Sequence, residues 1–129
     1  MPGVALVFAV VAALLHVLFF VLESVIFSRP DVYRRFGVRS AADASVLRPM
    51  ALNQGFYNLF LAVGVLVGVA LCASDAVGTR TAGAAVVVFG CASMTLAGVV
   101  LAVSNRPLWR SAVIQAGPPL LALLFAATL

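Results

Sequence analysis

Two ionisable side chains, His16 and Glu23, lie inside an apolar run from Gly3 to Phe27 that is long enough to cross a bilayer. Such groups are costly in hydrocarbon and rarely face lipid, so they mark candidate chemistry before anything else in the chain does. They are seven residues apart and share a helical face. Together they could act as acid and base, or pass a proton. A second polar group follows at Asn53, Gln54, Tyr57 and Asn58, and a further amide stands at Gln115. Tyr57 could donate a hydrogen bond to an anion or thiolate, and the amides could orient a polar head.

The elements that must position these residues are helices. Hydrophobic residues make up 64% of the chain and charged residues 9%, against roughly 25% charged in a soluble domain. Four spans are predicted, at about 3–27, 50–73, 81–104 and 108–129, forming a single all-α domain: a polytopic, antiparallel four-helix membrane bundle. Each is bounded by punctuation: Ser28-Arg29-Pro30, Arg48-Pro49, Ser74-Asp75 with Gly78, and Asn105-Arg106-Pro107. No window shows sustained strand alternation, and helices satisfy their own backbone in lipid. The first span has no basic residue before it and is long for a signal peptide, so it is read as a retained helix.

Orientation follows from the arginines, since the chain has no lysine. Arg29, Arg34, Arg35, Arg39 and Arg48 lie in the first loop, Arg106 and Arg110 flank the third connection, and Arg80 alone lies at the other end. The positive-inside bias then puts both termini outside and the 28–49 loop in the cytoplasm of a bacterium, in a multi-pass plasma-membrane protein. Nucleic-acid binding is a poor reading of these arginines, because no soluble domain displays them. Within the loop, Val32, Tyr33 and Phe36 share a face beside arginines, as in a short interfacial helix; a plain basic loop that sets topology is the other reading.

Depth brings the polar residues together. At about 1.5 Å of rise per residue, Glu23 is about one turn from the cytoplasmic end and His16 about three. Asn53 and Tyr57 are surface neighbours on the second helix, as are Gln54 and Asn58, and Gln115 falls at a similar level. Pro118 and Pro119 cannot donate to the carbonyls of Ile114 and Gln115, so a kink there would leave two acceptors free for a neighbour or ligand, unless local adjustment satisfies them. Structural readings stand beside the functional ones. Glu23 could pair with Arg29 or Arg48, His16 could bond across helices, and each amide could serve as interhelical glue.

Other features are architectural. Gly64 and Gly68 form a GxxxG, and Gly83, Gly90, Ala97 and Gly98 give a small-residue surface, suited to packing within a bundle or between subunits of a homo-oligomer. Cys72 and Cys91 are expected at different depths and are read as unpaired apolar residues. One histidine with one nearby carboxylate predicts no metal site, and no motif names a cofactor.

His16 with Leu22-Glu23, Phe36-Gly37-Val38, Asn53-Gln54-Gly55-Phe56-Tyr57-Asn58 with Phe60-Leu61-Ala62, and Gln115-Ala116-Gly117-Pro118 resemble the bacterial four-helix membrane family called domain of unknown function 1304. The resemblance spans nearly the whole chain and implies a fold and a membrane location, with no activity. One departure is Phe27, where that family's pattern leads us to expect tryptophan. A weaker architectural similarity is to the membrane-associated eicosanoid and glutathione metabolism family, trimers that hold glutathione between subunits. It implies basic and amide roles for Arg48, Asn53 and Asn58, although Tyr57 stands where a carboxylate is expected.

Three functions are consistent with these residues. The first is an oligomeric membrane protein with a cytoplasm-facing pocket for a lipophilic or amphipathic molecule, formed by Glu23, Asn53, Gln54, Tyr57, Asn58 and Gln115. The second is a transferase of glutathione or thiol type, with Tyr57 as donor and Glu23 or His16 as acid or base. The third is a small proton-coupled transporter subunit. A polar path continuing outward from His16 would favour transport, whereas a closed outer half favours the first two.

Overall fold

A computed structural model describes residues 1–128. The chain forms α1 (Gly3–Phe20), extended by a π-helical turn (Val21–Val25), then a short α2 (Pro30–Tyr33) and a 3-10 turn (Arg34–Phe36). These are followed by α3 (Ala41–Leu71), α4 (Val77–Ser104), a second 3-10 turn (Arg106–Leu108) and α5 (Trp109–Ala126). Four of these helical stretches are long and apolar enough to cross a membrane. The described residues contain no strand, and the predicted end of the fourth span at Leu129 lies outside them.

The starts of α3 and α4 differ most from expectation. Helix α3 starts at Ala41, nine residues before the predicted Met50, with Pro49 inside it. Ser40 caps the start by accepting a hydrogen bond of 3.0 Å from the Asp43 backbone N–H, and the acidic side chain at Asp43 suits the helix N-terminus. Proline at position 49 removes the bond to the Ser45 carbonyl, but residues 45–50 are all exposed, so that carbonyl is open to solvent or headgroups. Helix α4 starts at Val77, where 81 was expected. There Arg80 turns back to donate to the Ser74 and Asp75 carbonyls at 3.1 and 2.9 Å, closing the α3–α4 turn. Helix α5 is continuous through Pro118 and Pro119, and among the described residues no side chain bonds the carbonyls of Ile114 or Gln115.

Helix α1 packs on α3 and α5, and α4 packs on the same two, while α1 and α4 barely meet, so the helices form a square. Small residues line its inside. On α1, Ala5, Ala9, Ala12 and Ala13 are buried, whereas Val4, Val7, Val11, Leu14 and Leu18 are exposed. On α4, Gly83, Gly90, Cys91 and Gly98 face inward together with the larger Val87 and Met94, and Phe89, Leu96, Val100 and Val103 face out. A helix in water would bury the larger set. In hydrocarbon no hydrophobic force drives helices together, so close backbone approach over small side chains takes its place and the large side chains meet lipid.

The arginine-rich end carries a second core. Phe27, Tyr33, Val38 and Ala44 are buried together, with Phe36 packed against them and its ring 5.8 Å from that of Phe27. Gly37 makes the connection possible, because its φ of 80° turns the chain so that the Val38 N–H reaches the Tyr33 carbonyl at 3.3 Å. The loop helix foreseen as interfacial therefore exists, but Val32 and Tyr33 are buried, and Tyr33 packs into this second core, while Arg34 and Arg35 point out. Phe27, at the expected tryptophan position, belongs to this core and is not an interfacial anchor.

Candidate functional site

The site begins at the π-helical turn. Closure of the Ile26 N–H on the Val21 carbonyl at 3.0 Å inserts one extra residue into the end of α1 and rotates the side chains of that turn. Ser24 then donates to the Leu52 carbonyl at 2.8 Å, and Glu23 Oε2 accepts from Asn58 Nδ2 at 2.7 Å. Both bonds join α1 to α3 at Gly55, where a β-carbon would overlap Ser24 Oγ and come within 3.1 Å of the β-carbon of Glu23. The only residue without a side chain thus lets the two helices approach closely enough for a carboxylate and an amide to meet in a part-buried position.

Glu23 makes no ion pair among the described residues. Arg29, one of its two expected partners, is turned to Asp31, which it contacts through two bonds of 3.0 and 3.1 Å. That guanidinium holds the Asp31 carboxyl below the usual carboxylate range. The pair is exposed on both sides, so it contributes little to stability. It turns Arg29 away from the Glu23 carboxylate.

Glu23 lines a cleft of about 610 Å³ that opens at the arginine-rich end among α1, α4 and α5. Its walls are apolar at Leu18, Phe19, Leu22, Val100, Leu101 and Ile114. Its polar groups are Glu23, Arg35, Gln54, Ser104, Ser111 and Gln115. A cavity of this size and character suits a small ligand, since such sites are largely apolar with a few convergent polar groups.

Of the residues singled out in the sequence, Glu23, Gln54 and Gln115 reach this cleft. Asn58 is 6% exposed and acts through its bond to Glu23. Asn53 and Tyr57 are placed elsewhere: both are exposed on the perimeter of α3, and Tyr57 is 60% exposed. The reason is helical period. Positions 54 and 58 share a face, on which Asn58 is buried and Gln54 is exposed at the cleft, and their neighbours 53 and 57 fall on the adjacent face. Ser24, Arg35, Ser104 and Ser111 were missed. Only Ser111 carried a signal, one turn before Gln115 on the same face.

His16 lies outside the cleft and is fully buried. Its Nδ1 donates to the Ala12 carbonyl at 2.9 Å in the tautomer that this contact requires, and its ring meets Phe19, a cleft residue, edge-on at 5.6 Å. Nε2 has no partner. The Ala12 carbonyl is one turn back on the same helix, so this bond ties His16 to no other element. His16→Leu is therefore expected to hold or raise stability by up to ~1 kcal/mol, because it removes an unsatisfied buried acceptor. Unfolding in mixed maltoside and dodecyl sulfate micelles measures this; a loss beyond ~2 kcal/mol would mean that Nε2 has a partner in the bilayer.

No group of three or more histidine, cysteine, aspartate or glutamate side chains is arranged to hold a metal ion among the described residues. Cys91 is buried, Cys72 is half-buried, and both are free thiols.

The fold and the cleft define a polytopic four-helix membrane protein with a part-buried carboxylate–amide pair at one end of its bundle. The chain matches, over residues 10–127, the family model described as Protein of unknown function (DUF1304), and it belongs to that family. No curated protein and no solved structure matches it.

Proposed function

We propose that this protein binds a lipophilic or amphipathic small molecule in the cleft at its arginine-rich end, which the positive-inside bias places on the cytoplasmic side of a bacterial plasma membrane. The observation that carries this reading is Glu23: a carboxylate inside an apolar-walled cleft, anchored by Asn58 through one oxygen and carrying no cation. An ionisable group kept at membrane depth without a charge partner is a functional-site candidate. A purely structural role would be better served by a neutral pair.

The other two readings have less support. A thiol transferase built on Tyr57 lacks its phenolic donor in the cleft, since Tyr57 stands on the outer face of α3. A proton-coupled path would have to continue from His16 to the far end of the bundle. The buried core beyond it includes Ala5, Ala9, Val65, Val87 and Ala122, with Cys91 as its one thiol, so among the described residues no chain of proton-carrying side chains leads outward.

Native mass spectrometry of the protein released from mild detergent tests the reading. A co-purifying small molecule is expected on the wild type and is expected to be lost or reduced about tenfold in Asn58→Ala, which leaves the carboxylate without its anchor. Equal retention in Asn58→Ala and Glu23→Gln would place any bound molecule elsewhere.

A further inference from the structure

Resting on that reading, we infer that the cleft selects an amphiphile with a zwitterionic head, in which the cationic group lies next to the apolar body and the anionic group lies beyond it. The inference comes from two unlike charges that share one cleft without pairing. Glu23 and Arg35 both line it, yet among the described residues the only ion pair is Arg29 with Asp31. Each is held by a single bond that leaves charge to spare. Glu23 Oε2 accepts from Asn58, so Oε1 is free. Arg35 Nε donates to the Asp31 carbonyl at 3.2 Å, so its terminal nitrogens are free.

A carboxylate and a guanidinium at the mouth of an apolar cleft attract each other when they can meet. Here they do not meet: Glu23, at the end of α1, is bonded to Asn58 of α3, and Arg35 donates to the Asp31 carbonyl of its own loop. A cleft so built is complementary to the reverse pattern, a positive group at Glu23 and a negative one at Arg35.

The order of the two charges along the bilayer normal decides which zwitterion fits. Arg35 lies in the loop beyond the end of the first span, and Glu23 lies within that span. Further in, Leu18, Val100 and Ile114 line the cleft while remaining 48%, 64% and 51% exposed, so the cleft opens sideways there onto the apolar perimeter. An apolar body leaves by that opening, where lipid chains would be. Outward from the body, the cleft therefore calls for a cation first and an anion second. Gln54, Ser104 and Ser111 can share the remaining hydrogen bonds of the head.

Two zwitterions of equal chain and equal net charge distinguish this order. Octyl sulfobetaine carries its ammonium next to the chain and its sulfonate outermost, whereas octylphosphocholine carries them in the opposite order. In native mass spectra from maltoside micelles, the wild type is expected to hold the sulfobetaine at about fivefold higher occupancy than the phosphocholine at equal concentration. Glu23→Gln, which keeps an acceptor for Asn58, and Arg35→Gln, which lies in the exposed loop, are each expected to bring the ratio close to one. Equal occupancy of the two on the wild type, or a ratio unchanged in both variants, would overturn the charge order and leave the amphiphile cleft standing. Saturable binding of neither would overturn both.

Discussion

Gly83→Val is expected to destabilise the folded bundle by about 3 kcal/mol or more, the upper end for overpacking a rigid interface. A β-carbon at Gly83 would lie 2.7 Å from the Gly68 carbonyl oxygen and 2.8 Å from the Cys72 backbone nitrogen. Both are backbone atoms of the facing helix, so no side-chain rotation makes room and α3 and α4 must separate. The GxxxG of α3 supplies the control. Gly68 faces this crossing, whereas a β-carbon at Gly64 would meet nothing within 4 Å. Gly64→Ala is therefore expected to be neutral, or stabilising by ~0.5–1 kcal/mol through helix propensity. Unfolding in mixed micelles reads both variants. A large loss in Gly64→Ala would mean that this glycine packs against a second copy of the chain.

Gly55→Ala is expected to cost about 2 kcal/mol and to weaken ligand retention in the same variant, because this one position supports both bonds that tie α1 to α3. The added β-carbon would occupy the place of Ser24 Oγ. Ser24 can turn away only by giving up its bond to the Leu52 carbonyl, and its own β-carbon and that of Glu23 are each 3.1 Å from the new atom. Relief by helix separation would lengthen the 2.7 Å bond between Asn58 and Glu23, a bond to a charged acceptor worth ~1.5–3 kcal/mol. Ser24→Ala alone loses one hydrogen bond, about 1 kcal/mol, and it removes the clashing oxygen. The double variant is then expected to be more stable than the sum of the single changes predicts, by at least ~0.5 kcal/mol. Strict additivity would show that Gly55 and Ser24 do not meet.

The four helices were legible because hydropathy and length alone demand them, and their loop ends were marked by proline and arginine. The start of α3 was misread for a physical reason. Pro49 is a boundary signal, yet its missing hydrogen bond falls where residues 45–50 are exposed, and the Ser40–Asp43 cap outweighed it. The candidate site was legible in part. Glu23, Gln54, Asn58 and Gln115 follow from depth and polarity. Asn53 and Tyr57 have the same depth and polarity but the wrong azimuth, and azimuth is fixed only by which face of α3 turns toward α1.

Composition and periodicity by themselves determined that this chain is a bundle of membrane-crossing helices with hydrophilic atoms concentrated toward one end, because hydrocarbon admits only helices and closed barrels and no stretch alternates as barrel strands do. Only the tertiary structure decided which of those atoms meet. The π-helical turn at Val21–Val25 rotates Glu23 by an amount no residue pattern announces, and Gly55 sets how near α3 can come. Contacts of this kind depend on rotation and separation between helices far apart in sequence, and those are set by small residues packing against one another across the bundle.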